Sequence, residues 1–133
     1  MYKPAMTACL AAVLSQGAHA GQGAFAAVSV SSSSDGVSAF GSIADARLSG
    51  DNVQFIGCGT LSSADGSSII QCYASDSNGS GAYCATSNPT QAALAAVSAV
   101  NGVSTIYFSA DPSGHCTYLS VTDASYYFVS RIP

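Results

Sequence analysis

The chain has 133 residues, which is the length of a single domain. It carries three Lys and Arg residues against seven acidic residues, all of them aspartate, for a formal net charge of −4. Nucleic-acid binding and attraction to anionic membranes both depend on clustered Lys and Arg, so this composition excludes both as main functions. No segment has the ~20 consecutive apolar residues that a transmembrane helix needs.

The first twenty residues have the pattern of a secretory signal peptide. Lys3 supplies an early positive charge, an apolar run extends from Ala5 to Leu14, and Ala-His-Ala at 18–20 is a small-residue cleavage site. We therefore expect residues 1–20 to be removed, so that the mature chain begins near Gly21 in the periplasm or outside the cell. The alternative is an N-terminal helix that stays attached.

Removal of the signal peptide changes the number of cysteines from five to four. Cys9 lies within the signal peptide, and Cys58, Cys72, Cys84 and Cys116 remain. An even number in an exported chain suits two disulfides, each contributing about 2 to 4 kcal/mol to the stability of a small domain. The sequence thus predicts that all four cysteines are structural.

The segment after the signal peptide allows two interpretations. Residues 21–35 are either a Ser-rich linker, because four serines follow one another at 31–34, or a first strand within 24–31. The single disulfide-stabilised domain is then expected to span 36–133. Short apolar runs separated by Asp, Gly and Asn clusters predict the strands of an antiparallel meander. These runs lie at 37–49, 53–62, 67–75, 103–110 and 115–121, and 125–131 could add a last strand.

One segment, SNPTQAALAAVSAVNG at 87–102, has helical periodicity. Asn88 is expected to cap this helix, with Pro89 as its first residue and Gln91 completing a capping box. The pattern predicts one short Ala-rich helix over about 88–100. The expected fold is α+β, an antiparallel β-meander sheet with this helix packed on it and two disulfides.

The polar loop between Cys72 and Cys84 predicts a hairpin. Folding the chain about Asn78 places these two cysteines opposite each other and Tyr73 opposite Tyr83, an aromatic cross-strand pair that stabilises a sheet by roughly 0.2 to 1 kcal/mol. Eleven residues separate the two cysteines, so they do not form a C-x-x-C dithiol.

A second hairpin, folded about Asp65, places Cys58 opposite Cys72. Cys72 then has two possible partners. One solution is Cys58–Cys72 with Cys84–Cys116, and the other is Cys72–Cys84 with Cys58–Cys116. We favour the first, because a Cys84–Cys116 bond would tie the entrance of the helix to the last hairpin.

The same polar loop partly matches a calcium-binding loop. Asp76, Asn78, Ser80 and Gly81 stand at positions 1, 3, 5 and 6 of an EF-hand-like loop, but Ser87 stands at position 12, where a bidentate carboxylate is needed. We therefore expect a plain turn and no metal ion.

The sequence predicts neither catalytic residues nor a bound cofactor. His115 and Cys116 are adjacent, so on a strand they would point to opposite faces, and Cys116 is expected to be oxidised. Six aspartates could in principle supply a pair of catalytic carboxylates: Asp45, Asp51, Asp65, Asp76, Asp111 and Asp123. Several of them lie in predicted turns, where Asp accepts backbone hydrogen bonds.

The run from Phe108 to Val121, F-x-x-D-x-x-G-x-C-x-x-L-x-V, resembles a group of small exported bacterial proteins of unknown function with four cysteines. The resemblance extends from residue 56 onward and implies an exported, disulfide-bonded domain, with no active-site residues to carry over. The sequence therefore predicts a non-enzymatic exported module, structural or binding, with an unknown protein or surface partner. Alternatives are a small secreted hydrolase inhibitor presenting the 76–81 or 111–114 loop and, less favoured, an aspartate-dependent hydrolase.

Overall fold

The computed structural model describes residues 25–124, which form seven strands and two short helices. The signal peptide predicted at 1–20 and the strand predicted at 125–131 lie outside the described residues. In chain order the elements are β1 (Ser29–Ser33), β2 (Gly36–Ser42), α1 (Ile43–Leu48), β3 (Phe55–Ser62), β4 (Ser68–Ser75), β5 (Gly81–Ser87), α2 (Gln91–Ser98), β6 (Thr105–Ala110) and β7 (Cys116–Thr122).

The strands are divided between two antiparallel sheets. One has the order β1-β2-β6-β7, and the other, sheet B below, is the meander β3-β4-β5. The predicted α+β class is thus confirmed, but the expectation of a single sheet is wrong. Because α1 follows β2 directly, the chain leaves that sheet before β3 begins, and β2 pairs with β6 instead.

The hydrophobic core lies between the two sheets and α2. Alternate residues of β4 and β6 point inward, so that Ile70, Ile106 and Phe108 are fully or almost fully buried, and Val97 of α2 packs against them. Burying a side chain of this size stabilises the fold by about 1.5 to 3 kcal/mol.

The Ser-rich segment is a strand rather than a linker. Serines 31–33 belong to β1, which pairs with β2 so that Val30 lies opposite Ala39. Strand pairing uses backbone groups, so polar side chains on the solvent face do not prevent it. The preceding residues Ala26 and Val28 are each only 5% exposed and belong to the core, upstream of residue 36.

Helix α1 takes the place of the end of the strand predicted over 37–49, and the prediction is wrong after Ser42. Ser42 caps the helix, and its Oγ accepts a hydrogen bond from the backbone N–H of Asp45 at 3.3 Å. The Asp45 carboxylate accepts a 2.9 Å bond from the backbone N–H of Ala26, and the Ser42 N–H donates to the Ala26 carbonyl at 2.9 Å. These two bonds attach the first described residues to α1.

The Ala-rich helix is confirmed but begins later than predicted. Its cap is Thr90, whose Oγ1 accepts from the backbone N–H of Ala93 at 3.2 Å. Asn88 is not the cap, because its backbone N–H donates to the carbonyl of Ser68 at 2.9 Å and thereby prolongs the β4–β5 pairing by one residue. The chain is therefore still attached to sheet B at the position where the helix was expected to start.

Candidate functional site: the outer face of sheet B

The four predicted structural cysteines form two disulfides, Cys58–Cys72 and Cys84–Cys116. Cys72 lies directly opposite both Cys58 and Cys84, so the predicted row of three cysteines is confirmed. The favoured pairing is also confirmed. The first bond lies within sheet B, and the second links it to β7 of the other sheet. Because Cys116 is oxidised, it offers no thiolate to the exposed His115 beside it.

The partial calcium loop is a hydrogen-bonded turn. Asp76 Oδ1 accepts 2.9 Å bonds from the backbone N–H groups of Asn78 and Ser80, an arrangement that closes the β4–β5 turn on itself. Within residues 25–124, no three His, Cys, Asp or Glu side chains come together in a group that could hold a metal ion.

Three further aspartates are acceptors in separate turns, and hydrogen bonds lower the pKa of each carboxyl. The pKa of Asp51 is lowered mainly by the side-chain amide of Gln54, that of Asp65 by the backbone N–H of its turn, and that of Asp111 by a serine hydroxyl. A carboxyl with a lowered pKa stays ionised at neutral pH and is a poor general acid. These carboxylates stabilise turns.

The outer face of sheet B is the most distinctive surface of the described residues. Because side chains alternate along a strand, Ile56, Ile70 and Cys84 point to the core, and their neighbours form the opposite face. The residues of this outer face, in strand order, are Phe55, Gly57, Gly59 and Leu61 of β3; Ile69, Gln71, Tyr73 and Ser75 of β4; and Gly81, Tyr83, Ala85 and Ser87 of β5. The face has no acidic or basic side chain.

Two tyrosines stand in the middle of this face. Tyr73 and Tyr83 are cross-strand partners, as predicted, with ring centroids 6.0 Å apart and ring planes inclined by 26°. Their side chains are 41% and 47% exposed, although the rings cover each other on one side. The pair therefore presents aromatic surface that is held in place by the sheet.

The β3 side of the face has no side chains at its centre. Gly57 lies opposite Tyr73, and Gly59 lies opposite Gln71. A Cβ atom placed on either glycine would meet no other atom within 4 Å, so the space above both is open. We call this space the glycine trough, with the side chains of Tyr73 and Gln71 as its wall.

Large apolar residues stand at both ends of the glycine trough. Phe55 is 52% exposed and Leu61 is 57% exposed. The trough is therefore open to solvent above the two glycines and is flanked by an apolar side chain at each end. Sequence reasoning found the tyrosine pair only as a hairpin contact and missed the trough, although Gly-Cys-Gly at 57–59 opposite Gln-Cys-Tyr at 71–73 contains the signal.

A second concavity lies between α2 and β7. It is a groove of about 400 Å³ lined mainly by small apolar side chains, among them Ala93, Ala96 and Leu119. The hydroxyl of Thr86, which also lines the groove, is buried and has no hydrogen-bond partner among the described residues. Because this oxygen lies beneath the surface, it does not supply the accessible polar group that usually orients a ligand.

Comparisons with known proteins add no family to this description: the chain matches no protein-family model, no curated protein sequence and no solved structure. Over residues 25–124, none of the helices is both long and apolar enough to cross a membrane.

Proposed function

We propose that the protein is a non-enzymatic binding module that works outside the cytoplasm and contacts its partner through the outer face of sheet B. The observation that carries this proposal is the combination of exposed aromatic and aliphatic side chains with an open glycine trough on one uncharged sheet face. A large, contiguous patch of exposed apolar surface on a small protein often marks a site of interaction with a partner.

The energetics of the face favour a partner. Four large side chains, Phe55, Leu61, Tyr73 and Tyr83, are each between 41% and 57% exposed. Full burial of one such side chain is worth about 1.5 to 3 kcal/mol, so covering the half that is exposed on all four would yield several kcal/mol. The disulfide beneath the face, Cys58–Cys72, and the sheet pairing hold these side chains before the partner arrives, which lowers the entropy lost on binding.

The aspartate carboxylates are already occupied by separate hydrogen bonds, which supports a binding function over a catalytic one. Asp45 is 2% exposed and accepts a backbone N–H, and Asp123 accepts hydrogen bonds from the hydroxyl of Ser104 and the amide of Asn101. The remaining acceptors described above, Asp51, Asp65, Asp76 and Asp111, lie in separate turns. An aspartate-dependent hydrolase would need two carboxylates facing one substrate. The two disulfides are consistent with an oxidising compartment, as expected of an exported protein.

Retention on native surface material tests this proposal. The exported protein would be labelled and incubated with washed cells and extracellular material of its source, and the bound fraction measured for the wild type and for Tyr73→Ser/Tyr83→Ser. We expect the double substitution to abolish retention. The matched control is Tyr107→Ser/Tyr118→Ser, which removes an exposed tyrosine pair, 5.6 Å between centroids, from the other sheet. Equal retention of both double variants would refute the proposed site.

The inhibitor alternative rests on a different part of the surface. The 111–114 loop is rigid, because Asp111 Oδ1 accepts bonds from the backbone N–H groups of Ser113 and His115 at 2.9 and 3.0 Å, and the Cys84–Cys116 disulfide begins one residue later. A fixed loop of this kind suits insertion into a hydrolase active site. A panel of proteases and glycosidases tests it: inhibition lost in Asp111→Ala but kept in Tyr73→Ser would favour this alternative.

A further inference from the structure

We infer that the ligand of the outer face is a neutral polysaccharide chain, whose sugar rings lie in the glycine trough and stack on Tyr73. This inference rests on the proposed function and names the chemical class of the partner. It follows from the charge of the face, the open ring surface, the shape of the trough and the size of the sheet.

The charge distribution selects a neutral ligand. The outer face has no acidic or basic side chain to pair with a charged group, and a charge that loses its water without a partner costs several kcal/mol. Asp65 and Asp76 lie in the turns at the two ends of β4, and the whole chain has a net charge of −4. Both features repel an anionic polymer.

The tyrosine ring supplies a stacking surface. Tyr83 covers Tyr73 on the β5 side, and on the β3 side the cross-strand neighbour of Tyr73 is Gly57, which has no side chain. The face of an aromatic ring carries partial negative charge. The C–H bonds on one side of a sugar ring carry partial positive charge, so the two surfaces attract each other while the sugar hydroxyls stay in water.

The trough also offers a hydrogen-bond donor beside the ring. Gln71 Oε1 accepts a 3.4 Å bond from the hydroxyl of Tyr73, and Gln71 Nε2 donates to no acceptor within the described residues. Gln71 lies opposite Gly59, two residues along β4 from Tyr73, so its amide borders the glycine trough next to the ring on which a sugar would stack. Sugar hydroxyls are acceptors that such a neutral amide satisfies.

The shape of the trough favours a chain over a small molecule. It runs along β3 from Phe55 to Leu61, which at ~3.4 Å per residue is a length of roughly 20 Å. Neighbouring strands are ~4.8 Å apart, so the missing side chains of Gly57 and Gly59 leave the glycine trough about one sugar ring in width beside Tyr73 and Gln71. Phe55 and Leu61 flank the glycine trough at its two ends, and the side that faces solvent is open to consecutive rings of a polymer.

The size of the face argues against a second copy of this chain. Three strands of up to eight residues cover a projected area of roughly 400 Å², from the same strand spacings. A stable protein interface buries about 800 Å² of accessible surface on each partner, roughly twice the projected area of this face. One row of sugar rings, by contrast, is covered by the trough and the two tyrosines.

Titration with defined oligosaccharides tests the inference. Calorimetry on the exported protein would use four neutral hexasaccharides, cellohexaose, laminarihexaose, chitohexaose and xylohexaose, and an oligogalacturonate as the anionic probe. We expect saturable binding of at least one neutral probe, no binding of the anionic probe, and an affinity roughly tenfold lower in Tyr73→Ser. The tyrosine control Tyr107→Ser/Tyr118→Ser should bind like the wild type.

Gly57→Val separates loss of the trough from loss of the fold. The Cβ of residue 57 would meet nothing within 4 Å, and valine suits a strand better than glycine, so the thermal midpoint should not fall. The added side chain occupies the glycine trough beside Tyr73, so oligosaccharide affinity should fall at least tenfold. Unchanged affinity in this variant would overturn the inference.

The remaining outcomes distinguish this inference from the proposed function. If no neutral probe binds, but Tyr73→Ser/Tyr83→Ser still abolishes retention on native surfaces, the partner is not a neutral glycan and only the inference fails. Retention that is lost after protease treatment of the surface would identify a protein partner, with the same consequence. A dimer that disappears in Gly57→Val would identify a second copy and also overturn the inference. If retention does not depend on the tyrosines, both proposals fail.

Discussion

Substitutions at two neighbouring residues, Ser104 just before β6 and Thr105 at its start, are expected to change the stability in opposite directions. Thr105 is 3% exposed, and its Oγ1 has no hydrogen-bond partner among the described residues. Ser104 is completely buried, and its Oγ donates to Asp123 Oδ1 at 2.6 Å and accepts from the backbone N–H of Asn101 at 2.9 Å. Thr105→Val removes an unsatisfied hydroxyl, and Ser104→Ala removes a satisfied one.

The magnitudes follow from these contacts. A buried hydroxyl without a partner carries a desolvation penalty of about 1 to 3 kcal/mol, and valine has nearly the same shape as threonine and an equally high strand propensity. We therefore expect Thr105→Val to raise the free energy of unfolding by about 1 kcal/mol. Ser104→Ala loses a hydrogen bond to a charged group, worth about 1.5 to 3 kcal/mol, and one to a neutral group, worth about 1 kcal/mol. We expect it to lower the free energy of unfolding by about 2.5 to 4 kcal/mol.

Urea unfolding followed by circular dichroism measures both effects on the same scale, with thermal midpoints as a second readout. For a domain of this size, 1 kcal/mol corresponds to about 4 to 8 °C. The slope of the free energy against urea should be unchanged in both variants, since neither alters the surface exposed on unfolding. A Thr105→Val protein less stable than the wild type by more than about 0.5 kcal/mol would refute the reasoning, as would a neutral Ser104→Ala.

Three further predictions concern a disulfide, a turn carboxylate and a glycine. Cys84→Ala/Cys116→Ala opens a 32-residue loop and should lower the free energy of unfolding by about 4 kcal/mol in urea; a loss below about 1 kcal/mol would contradict the entropic account. The pKa of Asp51 is lower in the folded protein than in the unfolded chain, so its stabilising effect is present above about pH 4 and is lost as the pH falls through the folded value. The difference in urea midpoint between wild type and Asp51→Asn should therefore shrink from neutral to acidic pH, and a constant difference would show that the carboxylate charge is unimportant. Gly36→Ala would place its Cβ 1.9 Å from a backbone oxygen of β6 and should prevent normal folding. Gly66 also has a positive φ, but the space around it is open, so Gly66→Ala should lower the stability measured by thermal unfolding by about 1 kcal/mol. Equal losses in the two variants would disprove the proposed clash.

Local arithmetic was sufficient for the two hairpins and for the row of three cysteines across them. The chain folds symmetrically about Asn78, and this symmetry brings Tyr73 to Tyr83 and Cys72 to Cys84 because antiparallel register is fixed by the turn. The choice between the partners of Cys72 required the position of β7, which is a long-range property. A pairing could therefore be favoured from the sequence but required the structure for confirmation.

Other elements depended on contacts that the sequence does not display. The Ser42 and Asp45 pair at the start of α1 is a capping signal, but the apolar alternation before it extended the predicted strand too far. The two sheets could not be separated by pattern, because strand alternation specifies which face is buried and not which strand lies beside it. The glycine trough arises only when Gly57 and Gly59 are placed beside Tyr73 and Gln71, so no single strand reveals it.

The contact between the β6–β7 turn and β5 affects solubility as well as stability. Strand β5 is an edge strand, and such edges expose N–H and C=O groups to which another chain can add. Here the Ala85 N–H donates to the carbonyl of Gly114 at 2.9 Å, and a short parallel bridge joins Ala85 to His115. The Cys84–Cys116 bond fixes this contact covalently. The β6–β7 turn thereby shields part of the β5 edge from edge-to-edge aggregation, and a reducing environment would remove the covalent part of that protection.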